Sequence, residues 1–483
     1  MIIPRQAYSP QSFTPMASTP PKKPNLDSVT TINTDGSRYF LHPADVHGKW
    51  TLARRIFGLL LIAIYVLLPW IPINGAPAVF FDVEHRQFYF FGLNFRPQDL
   101  WMMFFGITGL GFSLFFITSL LGRLWCGWAC PYTVFLDHIY RRIERMIEGD
   151  AQARRKLAAA PWTAGKISKR VLKHGLYALC ATIIAHVFLS YFVSMERLYG
   201  FMNEGPLAHA TAFGIVAFLT CVLWFCFGYF REQFCVIMCP YGRLQSALTD
   251  DDTVIIGYDE GRGEPRGAKD KTTGDCIDCR RCVNVCPTGI DIRNGLQLEC
   301  IGCAACIDAC DDIMRKIQKP TGLVRYDSLN GLSKKKRRFI RPRIIAYTIL
   351  GLLGMGAFLF TATRKAGPYT ARFSKMAMAG QPYLADQETV KNFYQLRFLN
   401  KRNETVTFRV TAVDPPPGLI LSGGDQDIPV SPRGEVARQF VAILPLKGIE
   451  GRTSLTFRIT SEPGGHQTEQ TLNFLGPNAH QNP

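Results

Sequence analysis

Cys276-Ile-Asp-Cys279-Arg-Arg-Cys282-Val-Asn-Val-Cys286-Pro287 is followed, fourteen residues after Cys286, by Cys300-Ile-Gly-Cys303-Ala-Ala-Cys306-Ile-Asp-Ala-Cys310. Eight of the fifteen cysteines fall within these 35 residues. Three closely spaced thiolates hold one corner-linked set of irons, and the remote fourth thiolate of each run crosses to the other cluster. The spacing therefore assigns Cys276, Cys279, Cys282 and Cys310 to one 4Fe-4S cluster, and Cys300, Cys303, Cys306 and Cys286 to a second. Zinc sites use two separated Cys-x-x-Cys pairs per metal, not an x2, x2, x3 run repeated twice. Disulfides are excluded if the segment faces a reducing compartment, which the flanking charges imply below. The second run carries Asp311 where the first has Pro287. Two such clusters form an electron relay, and neither run contains a substrate-binding feature.

A chain of 483 residues predicts two or three domains, and 47% hydrophobic residues with 34 Phe make one of them a membrane domain. The net charge of +17 does not point to nucleic acid, because the basic residues flank apolar segments and no aromatic-basic module occurs. Residues 1–45 are rich in Pro, Ser and Thr, read as disordered, and show no signal-peptide pattern. Spanning segments are expected at Ile56–Ile73, Leu100–Leu121, Gly175–Val193, Ala212–Phe230 and Ile344–Ala362, each long enough for about 30 Å of hydrocarbon. The segment between the second and third spans carries eleven basic residues, from Arg123 to Lys173. The next loop has only Arg197, and Lys334-Lys335-Lys336-Arg337-Arg338 precedes the fifth span. Basic loops stay inside, so the N-terminus and the insert 231–342 are expected in the cytoplasm and residues beyond the fifth span in the periplasm.

The layout read from this is multi-domain. Residues 1–45 form a disordered tail, and 46–230 hold four transmembrane α-helices in two repeats. Residues 231–342 are a bacterial-type di-cluster ferredoxin insert, and 343–364 a fifth transmembrane helix. The tail 365–483 is an all-β immunoglobulin-like sandwich. That last reading rests on alternating runs such as 405–410, 439–443, 454–459 and 470–474, spaced by turns such as Pro415-Pro416-Pro417-Gly418.

A second constellation sits just past the second and fourth spans: Cys126-Gly-Trp-Ala-Cys130-Pro131 and Cys235-Val-Ile-Met-Cys239-Pro240, 109 residues apart. Residues i and i+4 of a helix share a face at about 5–6 Å, too far for a relaxed disulfide but suited to two ligands of one metal. Proline at the first helical position opens a new helix, so Pro131 and Pro240 are read as starting interfacial helices with Cys130 and Cys239 at their N-termini. Four soft thiolates select Cu(I), zinc or an iron-sulfur cluster. His138 and Met238 are nearby candidate ligands. Cys180, Cys221 and Cys226 read instead as small hydrophobes packing in the membrane.

These residues resemble the cytochrome c oxidase accessory proteins of the FixG, RdxA or CcoG type. The resemblance rests on Trp125-Cys126-Gly127-Trp128-x-Cys130-Pro131-Tyr132-Thr133-Val134, on Cys235-x-x-x-Cys239-Pro240-Tyr241-Gly242-Arg243, on Tyr258-Asp259-x-x-Arg262-Gly263-Glu264-Pro265-Arg266-Gly267 and on the double cysteine run. It covers nearly the whole chain. It implies a multi-pass protein of the bacterial inner membrane that reduces Cu(II) to Cu(I) on the cytoplasmic side for building cbb3-type oxidases. It also implies that Cys126, Cys130, Cys235 and Cys239 handle the copper. The implied partners are membrane lipid, copper ions, a copper transporter or chaperone, oxidase assembly factors and an unidentified cytoplasmic electron donor. The two thiol pairs meet within one protomer or across a homodimer. Two rivals stand beside this reading. One is a quinol or quinone acceptor site lined by Trp125, Trp128, Tyr132 and Tyr241, and the other is a non-enzymatic redox-sensing scaffold.

Overall fold

The computed structural model describes residues 40–477 apart from 74–75, 85, 96, 268–273, 366–368, 378–380, 382, 401, 403, 424–426, 433 and 447–450. Residues 1–39, most of the expected disordered tail, lie outside the described residues. Among the described residues five helices are long and apolar enough to cross a membrane. They are α1 (Lys49–Leu67), α2 (Leu100–Leu121), α3 (Ala164–Leu189), α4 (Ala210–Phe225) and α5 (Pro342–Lys365). Helix α3 starts eleven residues before the expected Gly175. Thr163 caps it by accepting from the Lys166 backbone N–H at 3.3 Å. Hydropathy misses this first half because Lys166, Lys169, Arg170 and Lys173 lie in it, yet Lys173 is buried and paired with Glu148 at 2.8 Å.

The chain divides into two units, residues up to 69 with Met103–Ala357, and Trp70–Met102 with residues from Phe358 on. In the first unit α2 and α5 cross with little space between backbones. A Cβ added at Gly354 would stand 2.8 Å from Gly109 Cα, and one at Gly351 would stand 3.2 Å from Ser113 Oγ. Small residues at such a crossing let helices approach where lipid offers no competing hydrophobic drive. The insert between α4 and α5 is built on two antiparallel strands, Ile255–Tyr258 and Val324–Asp327, with the short helix Arg281–Asn284 and the helix Ala305–Lys316. Ile256, Ile290, Ile292, Ile307, Met314 and Leu323 form its core with the cysteines.

Residues 40–45 depart from the disordered reading. Leu41 is buried, the Ala44 N–H donates to Asn284 O at 2.8 Å, and Arg154 donates to Pro43 O at 2.8 Å. The segment gains enough buried contacts against the insert and its neighbours to offset its ordering entropy.

The second unit holds the sandwich. One sheet runs Ile420–Ser422, Glu435–Pro445, Thr389–Asn400, Tyr369–Met376, and the other Ile428–Val430, Val406–Val413, Arg452–Glu462, His466–Leu475. Strand 389–400 alternates half-buried and buried along most of its length, as period-two patterning requires. Phe398, Phe408, Phe440, Phe457 and Phe474 fill the space between the sheets. The sequence reading did not anticipate the small meander Val79–Asp82, Gln87–Phe90, Leu93–Phe95 between α1 and α2, whose Phe95 stacks on Phe358 at 5.9 Å.

Candidate metal centre

The eight cysteines of the insert surround two cavities. One, of about 370 Å³, is lined by Cys276, Cys279, Cys282 and Cys310. The other, of about 320 Å³, is lined by Cys286, Cys300, Cys303 and Cys306, with Cys282 also at its edge. The grouping is the crossed one expected from the spacing. All fifteen cysteines carry free thiols. Burial pushes Cys282, Cys300 and Cys310 up to about 12 and Cys303 up to about 11, with neighbouring thiols adding to the effect. Thiols crowded in an apolar pocket keep their protons until a metal takes their place, because ligation requires the thiolate. Cysteines that are buried or half-buried apart from the exposed Cys279, no disulfide among them and a cavity wider than one ion fit a 4Fe-4S cluster in each place.

The two Cys-x-x-x-Cys-Pro motifs share a turn before the first cysteine and a cap at the second, although the stretch between is an α turn at Leu124–Trp128 and a π turn at Phe234–Met238. Four residues before the first cysteine of each, the backbone turns through a left-handed residue, Gly122 (φ 58°) and Arg231 (φ 49°). The second cysteine of each closes an i to i−5 hydrogen bond at 2.8 Å, Cys130 N–H to Trp125 O and Cys239 N–H to Phe234 O. Cys130 and Cys239 then stand in extended conformation as N-caps, with Pro131 and Pro240 at the first helical position. The first of these helices runs through a π turn at Leu136–Tyr140 to Glu148. The expected single helical face is therefore corrected. The helix Leu124–Trp128 ends before Cys130, because the proline that follows disfavours the helical region for its predecessor.

The motifs lie near one another. Burial raises Cys126 to about 11, with Arg123 opposing and Cys130 and Cys239 adding. Burial raises Cys235 to about 12, with Cys130, Cys126 and Cys239 adding. Gln245, wholly buried on the helix after Cys239, accepts from Arg123 Nε at 2.5 Å and from Cys126 Sγ at 3.6 Å, so it ties the second motif to the first. Among the described residues no three His, Cys, Asp or Glu side chains stand in an arrangement for a single metal ion. His138 and Met238 are not drawn in as ligands. The imidazole of His138 packs against Gly58 of α1, and Met238 is 60% exposed. Three of the four expected quinone aromatics make other contacts. Tyr132 stacks between Phe227 and Phe234, Trp128 donates to the Tyr326 hydroxyl at 3.2 Å, and Tyr241 pairs with Thr118 at 2.6 Å.

The first motif sits directly on the second cluster loop. A Cβ added at Gly127 would stand 2.5 Å from Ile301 O and 3.0 Å from Cys303 N, so only glycine lets the strands of chain touch there. Cys126, Ile301 and Cys303 are buried together against Tyr241 and Ala305. Tyr326 donates to Gly302 O at 2.7 Å and packs edge-on to Trp50 at 5.1 Å.

A buried ion network, which the sequence reading counted only as loop charge, surrounds this contact. Arg54 pairs with Asp137 and donates to Gly127 O at 2.5 Å. Arg141 reaches Asp137 at 2.8 Å, Glu232 at 3.2 Å and Pro287 O, next to Cys286, at 2.9 Å. Arg231 pairs with Glu144 at 3.3 Å. Burial would raise both carboxyls, but Arg54 and Arg141 hold Asp137 down at about 2, and Arg231, Lys173 and Arg154 hold Glu144 down at about 2. Paired this way the charges stay ionised, and removing any one leaves its partner stranded.

Five apolar helices, a four-cysteine lining for each of two cavities and a β-sandwich define a membrane-bound iron-sulfur electron-transfer protein. Residues 230–329 match the model of the 4Fe-4S dicluster domain, 102–148 that of a 4Fe-4S binding domain, and 377–477 that of the IG-like fold at the C-terminus of FixG. Protein RdxA of Cereibacter sphaeroides is 35% identical over 409 residues, covering 81% of this chain and 86% of that one. Protein RdxB of the same organism is 34% identical, covering 90% and 95%, and nitrogen fixation protein FixG of Rhizobium meliloti is 40% identical, covering 60% and 57%. The chain belongs to the FixG/RdxA family.

Proposed function

We propose that this protein is a cupric reductase, passing single electrons to Cu(II) at the thiols Cys126, Cys130, Cys235 and Cys239 and releasing Cu(I) for assembly of a cbb3-type oxidase. The observation that carries the reading is the backbone contact of Gly127 with Ile301–Cys303, which puts the first thiol motif against a cluster loop. When bound, the clusters supply one-electron redox chemistry, with Cys276, Cys279, Cys282 and Cys310 holding one and Cys300, Cys303, Cys306 and Cys286 the other. The chain's own part is to keep the motif and the loop in contact. Gln245 and Arg123 fix Cys126, and the Arg54–Asp137–Arg141 chain clamps Gly127 O and Pro287 O. Soft thiolates favour Cu(I) over Cu(II), which favours the one-electron reduction; the thiols give up their protons when copper binds, and the electron step itself moves none. The electron comes from a cytoplasmic donor, and the Cu(I) passes to a transporter or chaperone. On this reading the protein sits in the inner membrane, with the cluster insert cytoplasmic and the sandwich periplasmic.

A second reading has its own observation. The 4Fe-4S binding match at 102–148 contains Cys126 and Cys130 as its only cysteines, and Cys235 and Cys239 would complete a third cluster. Anaerobic purification with iron counting separates the two, at about eight iron atoms per chain against about twelve. The copper reading is tested by reoxidising the reduced protein with Cu(II), in wild type and in Cys130→Ser/Cys239→Ser. A large rate loss in the variant is expected. Equal rates remove the copper site, and no turnover in either protein leaves the scaffold role.

A further inference from the structure

The two cysteine runs of the insert have matching backbones. Cys276-Ile-Asp-Cys279-Arg280-Arg281-Cys282 corresponds position by position to Cys300-Ile-Gly-Cys303-Ala304-Ala305-Cys306. Asp278 (φ 52°) and Gly302 (φ 68°) are both left-handed, Arg280 (φ 54°) and Ala304 (φ 62°) likewise, and a helix begins at Arg281 and at Ala305. Their surroundings differ. In the second run the backbone from Ile301 to Cys303 lies under Gly127, and Cys303 is buried with Cys126 while Ala305 packs against them. The equivalent face of the first run is open. Cys279 is exposed, whereas the other seven cysteines of the runs are buried or half-buried, and Arg280 and Arg281 stand exposed beside it. Both arginines line the cavity of Cys276, Cys279, Cys282 and Cys310, so that cavity reaches the surface here. Cys282 lines both cavities, which leaves a short way from Cys279 to the loop under Gly127.

The rim of this opening is basic. The helix Ala305–Lys316 packs against Arg281–Asn284 and adds the exposed Arg315 and Lys316. Arg281, Arg315 and Lys316 all act on the Asp312 carboxylate, which places their charges together. The acids here are already engaged. Asp312 pairs with Lys316 at 2.8 Å, Asp278 pairs with the buried Arg293, and Asp311 accepts from the Gly322 N–H at 2.8 Å. Arg280, 69% exposed, stands 3.9 Å from Asp278. Arg280, Arg281, Arg293, Arg315 and Lys316 against Asp278, Asp311 and Asp312 leave a surplus of positive charge around one exposed cluster ligand. Such a rim speeds the encounter with an acidic partner and disfavours a basic one. Redox encounters between proteins need less than about 1,200 Å² of buried surface, so a patch of this kind suffices.

We infer that a small acidic one-electron carrier protein docks on the surface around Cys279 and delivers its electron there. The inference rests on the relay reading of the two cavities and not on copper. One electron leaves the reduced carrier and passes to the group held by Cys276, Cys279, Cys282 and Cys310, with no bond made or broken and no proton moved. Flavodoxin and a 2Fe-2S ferredoxin, both acidic, are the probes, with the basic cytochrome c as control, on the full-length protein in zwitterionic nanodiscs. Both acidic probes are expected to bind, and cytochrome c is not. Arg281→Glu/Arg315→Glu should raise their Kd about tenfold at about 50 mM salt, and the gap should close to about twofold at about 500 mM, where screening is strong. Arg281→Lys/Arg315→Lys keeps the charge and should bind as wild type does. Carbodiimide coupling of carrier carboxylates to lysine should mark Lys316. Where the charge-reversed protein loses iron, Arg315→Gln/Lys316→Gln, off the cavity wall, takes its place. Failure of both acidic probes to bind, equal Kd in an iron-replete variant, lost binding in the lysine variant, or cross-links that leave Lys316 unmarked overturns the inference. Equally tight binding of cytochrome c overturns the acidic class. Dithionite reduces the protein without a carrier, so Cu(II) reoxidation after dithionite tests the copper reading alone. That rate should be the same in the charge-reversed variant, and a slower one at full iron content counts against a docking role.

Discussion

Replacing Asp308 with Ala should loosen the first transmembrane helix from a residue 257 positions away. Helix α1 starts after Gly48, which has no side chain to cap it. Asp308, 3% exposed on the helix Ala305–Lys316, takes over that task. Its Oδ2 accepts from the Thr51 N–H and hydroxyl, each at 2.7 Å, and its Oδ1 accepts from the Trp50 N–H at 3.3 Å. Losing a cap costs about 1 kcal/mol, and hydrogen bonds to a charged acceptor are worth about 1.5–3 kcal/mol each, so about 2–4 kcal/mol of local stability should go. Hydrogen exchange by mass spectrometry in nanodiscs would read this as about 30- to 1,000-fold faster exchange at residues 50 and 51. Gly48→Ala should act in the same direction, because its Cβ would overlap the Asp308 carboxyl. Unchanged protection at 50 and 51 in Asp308→Ala would refute the idea that the insert caps the span.

Four further outcomes follow from the same geometry. Gly127→Ala should force the motif off the Ile301–Cys303 loop, and is checked by slower Cu(II) reoxidation or faster iron loss on warming. Phe457→Ala, in a fully buried site beside Phe373 and Phe440 at 5.5 Å each, should cost about 3–5 kcal/mol, raising exchange in the sandwich without changing iron content. Gly354→Val should separate α2 from α5, seen as a lower melting temperature of the membrane unit. Acid should act in two stages. Burial lowers His42 and His138 from 6.5 to about 4 in the fold, outweighing the carboxylates beside them, so both are neutral there. Below pH 6.5 the unfolded chain binds protons that the folded chain refuses, and stability falls until about pH 4, by about 3 kcal/mol per histidine at most. The depressed Asp137 and Glu144 act next, their contribution fading as pH drops from about 4.5 through about 2. A melting curve in His42→Gln that still falls as steeply between pH 6.5 and 4 would count against the first stage.

Much of the site was legible because its chemistry is local in sequence. The x2, x2, x3 spacing groups the eight cysteines as the two cavities do, with Cys310 and Cys286 crossed, since that geometry is written in chain separation. Repeated Cys-Pro pairs marked the rim, and prolines at the first helical turn marked where new helices begin. Period-two alternation found the sandwich, and apolar length found five spans. What was misread has physical causes. Hydropathy cannot see the charged first half of α3, because pairing with Glu148 makes Lys173 buriable only in three dimensions. Composition marks 40–45 as a tail, because the surface it packs on is built elsewhere in the chain.

The sequence by itself determined where the thiols stand and how the chain is divided: eight in two evenly spaced runs, four more at the ends of two spans, and apolar segments of membrane length. Those properties depend on residue type and short spacing, which a linear chain states directly. Only the tertiary structure decided that Gly127 touches the Cys303 loop, that Asp308 caps α1, that Gln245 joins the two thiol motifs, and that Arg54, Asp137 and Arg141 form one buried chain. Each joins residues from about 80 to more than 250 positions apart, apart from the neighbouring Asp137–Arg141 pair. Such contacts depend on which surfaces are left to meet once every segment has buried its own apolar face.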